Sequence, residues 1–127
     1  MSRPSARFDF RKCVAYDAEA KRLFHRHAQH QLKALAATLD LTDDEYDLRS
    51  NQGGPAVSGE ITLHTDWLYV QVSQPATGSD TGILFRSCRH RHDYIGGVNN
   101  FASLDLLHRL DELACRIQLA GLACPRS

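Results

Sequence analysis

The sequence predicts an α+β domain, a two-layer sandwich. An antiparallel sheet of about four strands carries an N-terminal and a C-terminal helix on one face. Three observations lead there. From Val57 to Val72 apolar and polar side chains alternate with a period of two, the pattern of half-buried strands. The segments around Phe24 to Leu39 and Leu106 to Ile117 repeat their apolar residues at three and four instead, the period of amphipathic helices. Two helices with one oily stripe each need an oily surface to cover, and a sheet with one apolar face supplies it. The other sheet face is then left open.

Taken in order, residues 1–12 are rich in Arg, Ser and Pro and read as a flexible arm. Phe8 and Phe10 alternate within it, which leaves strand and coil both open. The domain itself is expected over 13–123, followed by a tail at 124–127. Asp17 is a suitable N-cap for the first helix, with Glu19 in its first turn beside the positive helix end. Phe24, Ala28, Leu32, Leu35 and Leu39 form its apolar stripe, and Arg22, Arg26, His30 and Lys33 its solvated side. The helix should end near Asp40. Thr42-x-x-Glu45 has the spacing of a capping box, sufficient for one turn. Tyr46 to Ser50 alternates as a strand, and Gly53-Gly54-Pro55 breaks the chain.

The central hairpin follows. With a turn at Thr65-Asp66, Leu63 is expected opposite Leu68, Ile61 opposite Val70 and Gly59 opposite Val72. The second face then pairs His64 with Trp67, Thr62 with Tyr69, and Glu60 with Gln71. The segment Gln74 to Gly82 is a long connection. Ile83 to Cys88 is the next strand, with Ile83 and Phe85 inward and Arg86 on the aromatic face. The run Arg89-His90-Arg91-His92-Asp93 reads as a hairpin tip, and Gly96-Gly97 and Asn99-Asn100 punctuate the return. Ser103 is the N-cap of the last helix, whose stripe is Leu106, Leu110, Leu113 and Ile117, and Gly121 suits its C-terminal cap.

Composition narrows the function classes. A formal net charge of zero removes any global attraction to nucleic acid or to an anionic membrane, so a basic site has to be a local patch. No stretch approaches the roughly 18 apolar residues a membrane span needs, and the N-terminus lacks the apolar segment of a secretory signal. Cys13, Cys88, Cys115 and Cys124 are scattered with no CxxC pair, as expected of reduced thiols in a cytoplasmic protein rather than of a zinc ribbon. No P-loop, dinucleotide fingerprint or GxSxG elbow is present.

Three places are candidates for chemistry. On the open sheet face, Thr62, Trp67, Tyr69 and Gln71 form an aromatic and polar platform, with Arg86, Arg89 and Arg91 at its rim. Such a platform suits a protein partner or the stacked bases of a nucleic acid. The histidines of the first helix, His25, His27 and His30, with His90 and His92, lack a third ligand at metal-binding spacing, so no metal and no cofactor is expected. His64, His92 and Asp93 are the residues of an alternative reading, a metal-independent nuclease or other hydrolase working by acid–base catalysis.

The run GEITLHTDWLYVQVSQPATGSDTGILFR followed by DYIGGVNNFA is similar to small uncharacterised bacterial proteins carried on plasmids and other mobile elements, over about residues 46 to 107. That resemblance implies a context and no activity: an accessory protein acting on, or against, the DNA or defence machinery of a host. The expectation is therefore a small binding protein, an inhibitor or assembly factor. Its partner is a protein or a second copy of itself, with nucleic acid as the second candidate and no membrane.

Overall fold

The structure is a computed structural model, and it describes residues 8–75, 81–90 and 96–122. A helix, a five-stranded meander and a second helix follow one another along the chain. Helix α1 spans Ala18–Thr38, strands β1 to β5 span Asp47–Asn51, Glu60–His64, Leu68–Ser73, Ile83–Ser87 and Asn100–Ala102, and helix α2 spans Leu110–Leu119. The sheet is antiparallel and open, in the order β1-β2-β3-β4-β5. The fold is the expected α+β arrangement. Its fifth strand is the one element not anticipated, because three residues between Asn99 and Ser103 are too few to show a period.

Helix α1 begins as its residues dictate. The Asp17 carboxylate accepts the Ala20 N–H at 3.0 Å, satisfying one of the unpaired donors of the first turn. It ends in a Schellman turn. The Asp40 N–H reaches the Ala37 carbonyl and the Leu41 N–H the Ala36 carbonyl, with Asp40 at a φ of 63°. Asp at that position is one of the few non-glycine residues that tolerate it. Helix α2 closes in the same way on Gly121, at a φ of 80°, with Gly121 and Leu122 donating to Gln118 and Ile117. Ser103 caps the chain as expected, but the element it starts is a 3-10 turn over Leu104–His108, and α2 follows it. The Thr42–Glu45 capping box is present on a single 3-10 turn over Asp43–Glu45.

The hairpin between β2 and β3 corrects the expected register. Leu63 lies opposite Val70, Ile61 opposite Val72, Thr62 opposite Gln71 and His64 opposite Tyr69. The pairing is displaced by two residues, so the residues within the strands keep their faces while every partner changes. The cause is Thr65. Its hydroxyl accepts the N–H groups of Trp67 at 3.0 Å and Leu68 at 2.8 Å, and its own N–H donates to the Leu68 carbonyl at 2.8 Å. Thr65 and Leu68 thus close the hairpin, and Asp66 and Trp67 form its tip.

Both helices lie on the apolar side of the sheet. Phe24, Ala28, Leu32 and Leu35 of α1 and Leu113 and Ile117 of α2 are buried with Ile61, Leu63, Val70, Val72, Ile83 and Phe85 in one core. The N-terminal segment joins this layer from Phe8 onward, rather than remaining loose to Lys12. Phe10 is 3% exposed, Phe8 stacks on His27 with ring centroids 4.2 Å apart, and His108 Nε2 donates to the Phe8 carbonyl at 2.7 Å. Gln74 reaches across to hold it. Its Nε2 donates to the Phe10 and Lys12 carbonyls, and its Oε1 accepts the Val14 N–H. The described part of this segment packs on the helix side.

Candidate functional site

The face turned away from the helices is organised in rows set by strand register. One row runs Asp47, His64, Tyr69, Arg86 across β1 to β4. The next runs Arg49, Thr62, Gln71, Leu84, Phe101 across all five strands. Alternation along each strand puts these side chains together on the face.

The first row is tightly packed. The Tyr69 ring stands edge-on to His64, with centroids 5.0 Å apart at 79°. The Arg86 guanidinium lies over the other side of that ring, 4.3 Å from its centroid, close enough for a cation–π interaction. The Tyr69 hydroxyl donates to Gln71 Oε1 at 2.9 Å, tying the first row to the second. His64, Tyr69, Arg86 and Thr62 are all buried although no helix covers them. Gly96 helps explain this. A Cβ there would meet Arg86 Nη1 and the Ser87 carbonyl, so the bare backbone of residue 96 lies directly against the guanidinium. The second row is more open at the β5 side. Phe101 is 56% exposed and Leu84 half-buried beside it, with Val98 exposed just before β5.

The expected platform is therefore assembled only in part. Thr62, Tyr69, Gln71 and Arg86 do share the open face. Trp67 does not: placed at the hairpin tip by Thr65, it packs against the core cluster and lines a small apolar crevice with Leu39, Leu41, Leu68 and Leu122 on the helix side. Arg89 is exposed just beyond the end of β4. His64 is on the open face but buried against Tyr69. Arg91, His92 and Asp93 lie outside the described residues. No cluster of three metal-ligating side chains exists among the described residues. No described helix is long and apolar enough to cross a membrane. Cys13 and Cys115 are exposed free thiols, and the buried Cys88 thiol donates to the Thr65 carbonyl at 3.3 Å.

A second polar cluster escaped the sequence reading. Lys21 and His25 sit on the core side of α1 and are both buried. Lys21 Nζ donates to the carbonyls of Gln52 at 3.0 Å and Gly54 at 2.7 Å. His25 Nε2 lies 2.7 Å from the Ser58 carbonyl and Nδ1 2.6 Å from the Ser50 hydroxyl. A carbonyl only accepts, so Nε2 carries the proton and Nδ1 accepts from Ser50. Burial pushes the imidazole below its ordinary pKa. The Ser58 carbonyl pulls it partway back, and the Lys21 ammonium lowers it further. The pair thus clamps the connection between β1 and β2 to helix α1. Ser50 belongs to the inward row with Ile61 and Val72, so its hydroxyl serves this clamp. A polar cleft of about 440 Å³ is lined by Arg49, Ser50, Asn51, Glu60, Thr62 and Tyr69.

The signal for this clamp is present in the sequence. Lys21 and His25 continue the stripe of Ala28, Leu32 and Leu35 at helical spacing. Compared with the models of known protein families, with curated proteins and with solved structures, the chain matches none.

Proposed function

We propose that this protein works by binding, and that it presents the β3–β5 half of its open sheet face to a protein partner. The observation that carries the reading is the exposed Phe101 on the same row as Leu84 and Gln71, next to the stacked Tyr69–Arg86 pair. An exposed apolar residue on the same face as a rigid aromatic and an arginine is the composition of an interface centre. Charge favours protein over nucleic acid. Asp47 and Glu60 share the face with Arg49 and Arg86, so it has no one-sided positive field for a phosphate backbone. Thr62, Tyr69, Gln71 and Arg86 remain in the contact surface, with Arg89 at its margin. A stoichiometric inhibitor or assembly factor carried by a mobile element works in this way, a context that rests on the sequence resemblance alone, and the cytoplasmic setting rests on the scattered cysteines.

The test uses Leu84→Ser with Phe101→Ser. The double variant should stay folded, because both side chains lie away from the core, and should lose at least about tenfold in affinity for the partner recovered with the wild-type protein. Undiminished binding removes this face from the function. A mass twice that of the chain in light scattering, returning to monomer in the variant, identifies the partner as a second copy. A shift with oligonucleotides that fades steeply with salt points instead to nucleic acid.

A further inference from the structure

Strand β1 ends the sheet on one side, and the direction of its backbone groups follows from hydrogen bonds elsewhere in the ladder. The Thr65 N–H donates to the Leu68 carbonyl between β2 and β3, and the Ser73 N–H to the Gly82 carbonyl between β3 and β4. In an antiparallel ladder the N–H and carbonyl of one residue point to the same side, and the side alternates from residue to residue. Ile61 and Leu63 therefore turn their backbone groups to β3, while Glu60, Thr62 and His64 turn theirs to β1. Their partners Asn51, Arg49 and Asp47 point back to β2. Leu48 and Ser50 are left facing outward. Among the described residues, nothing bonds the backbone N–H or carbonyl of either. Arg49, Ser50 and Asn51 are exposed and Leu48 is half-buried. The sheet's other edge, β5, is only three residues long, so β1 is the longer template for an added strand.

We propose that β1 is a self-association edge, to which a second copy of this chain adds its own β1 antiparallel, carrying one sheet through both molecules. This goes beyond the docking face proposed above, which lies at the β3–β5 side and is not used by the edge. The run Asp47-Leu48-Arg49 selects the occupant. With a two-fold axis at Leu48, the Leu48 N–H of each copy meets the Leu48 carbonyl of the other. The Ser50 N–H then reaches the other copy's Tyr46 carbonyl, since Tyr46 continues the extended chain at φ −147° and ψ 159°. The same axis sets Asp47 of each copy opposite Arg49 of the other on the open face, and the two Leu48 side chains together on the helix side. Charge fixes the register. An axis at Arg49 opposes two arginines, an axis at Asp47 opposes two aspartates, and a slip of one residue turns the open face of one copy to the helix side of the other. Asp47 and Arg49 also have contacts within their own chain, and the pairing depends on the signs brought into register rather than on either group being free. Charges on an edge ordinarily deter an added strand. Here they admit the strand that carries them in the reverse order, which a two-fold copy does.

Light scattering and sedimentation of the full chain test the edge. The wild type should show twice the mass of one chain at about 100 μM and fall toward one chain on dilution. A single-chain mass throughout overturns the proposal. Asp47→Arg and Arg49→Asp each set like charges opposite one another, and each should weaken the dimer at least about tenfold. Mixed in equal amounts, the two variants bring opposite charges back into both pairs and should associate with each other about as tightly as the wild type does. A dimer indifferent to both reversals, or two folded variants that do not associate on mixing, overturns the proposal. Where a variant does not fold, amide exchange on the wild type decides. The Leu48 N–H should gain at least about tenfold protection between dilute and concentrated samples, while the Arg49 N–H, directed at β2, is protected in both. A Leu48 amide that exchanges at one rate in both samples overturns the edge. The Leu84→Ser, Phe101→Ser variant should keep this dimer while losing the partner of the docking face. A dimer lost in that variant places the second copy on the docking face instead and removes it from β1, so failure of the edge and failure of the docking face are separable.

Discussion

At the scale of single residues, Lys21 and His25 show how a charged or titratable group is turned inward. Each meets carbonyl or hydroxyl oxygens of the β1–β2 connection, and losing the His25 bond leaves the buried Ser58 carbonyl without that donor. His25→Gln retains an amide able to hydrogen-bond and should cost about 1–2 kcal/mol at pH 8, read from denaturant unfolding. The pH dependence is the sharper measurement. The folded imidazole binds its proton less tightly than the unfolded one, so the unfolded chain carries more protons as acid is added. The stabilisation is complete above the ordinary histidine value of about 6.5 and declines as pH falls from there toward the folded value. Lys21 adds to the effect from the same helix, while Ser50 and Ser58 do not titrate. His27 is lowered as well, by burial first and then by Arg26 and His30, and it remains in the variant. Wild type should therefore lose more stability than His25→Gln between pH 7 and 5, and parallel curves would clear His25.

At the scale of elements, local chemistry decided more than periodicity did. The period of two placed Ile61, Leu63, Val70 and Val72 on one face, and they are there. It had no means of locating the turn to within two residues, because a slip of two keeps every residue within the strands on its face. The Thr65 hydroxyl made that choice, and it moved Trp67 from the open face to the rim of the core. The connection before β2 is similarly set by one residue. Gly59 has a φ of 74°, and a Cβ there would lie 2.3 Å from the Asn51 carbonyl. Gly59→Ala should destabilise by at least about 2 kcal/mol, of which about 1–2 comes from the left-handed backbone and the rest from displacing β1. Chemical denaturation measures it, and a loss under about 1 kcal/mol, less than the left-handed backbone alone should cost, would show that the β1–β2 connection yields freely.

At the scale of the whole molecule, the N-terminal segment is part of the core rather than an appendage to it. Phe10 is buried beside Phe24, with ring centroids 6.1 Å apart, and Gln74 ties its carbonyl to the far end of β3. Phe10→Ala should cost about 3–5 kcal/mol in one cooperative transition. A loss confined to local fraying, with the core transition unmoved, would make the segment peripheral. Alternation of two aromatic residues in a polar arm did suggest an anchor, but not its shape. The contacts that order it come from His27, Gln74 and His108, scattered along the chain.

The linear order of residues was enough to establish the fold class, the helix stripes, the caps at Asp17, Ser103 and Gly121, and which strand residues face inward. These follow from properties that act over a few neighbours, such as periodicity, capping and turn propensity. Folding in three dimensions alone decided the strand register, the fifth strand, the Lys21–His25 clamp and the stacking of Arg86 on Tyr69. Each depends on groups far apart in sequence, and on whether a buried polar atom finds a partner there, which is a property of the packed arrangement rather than of any segment.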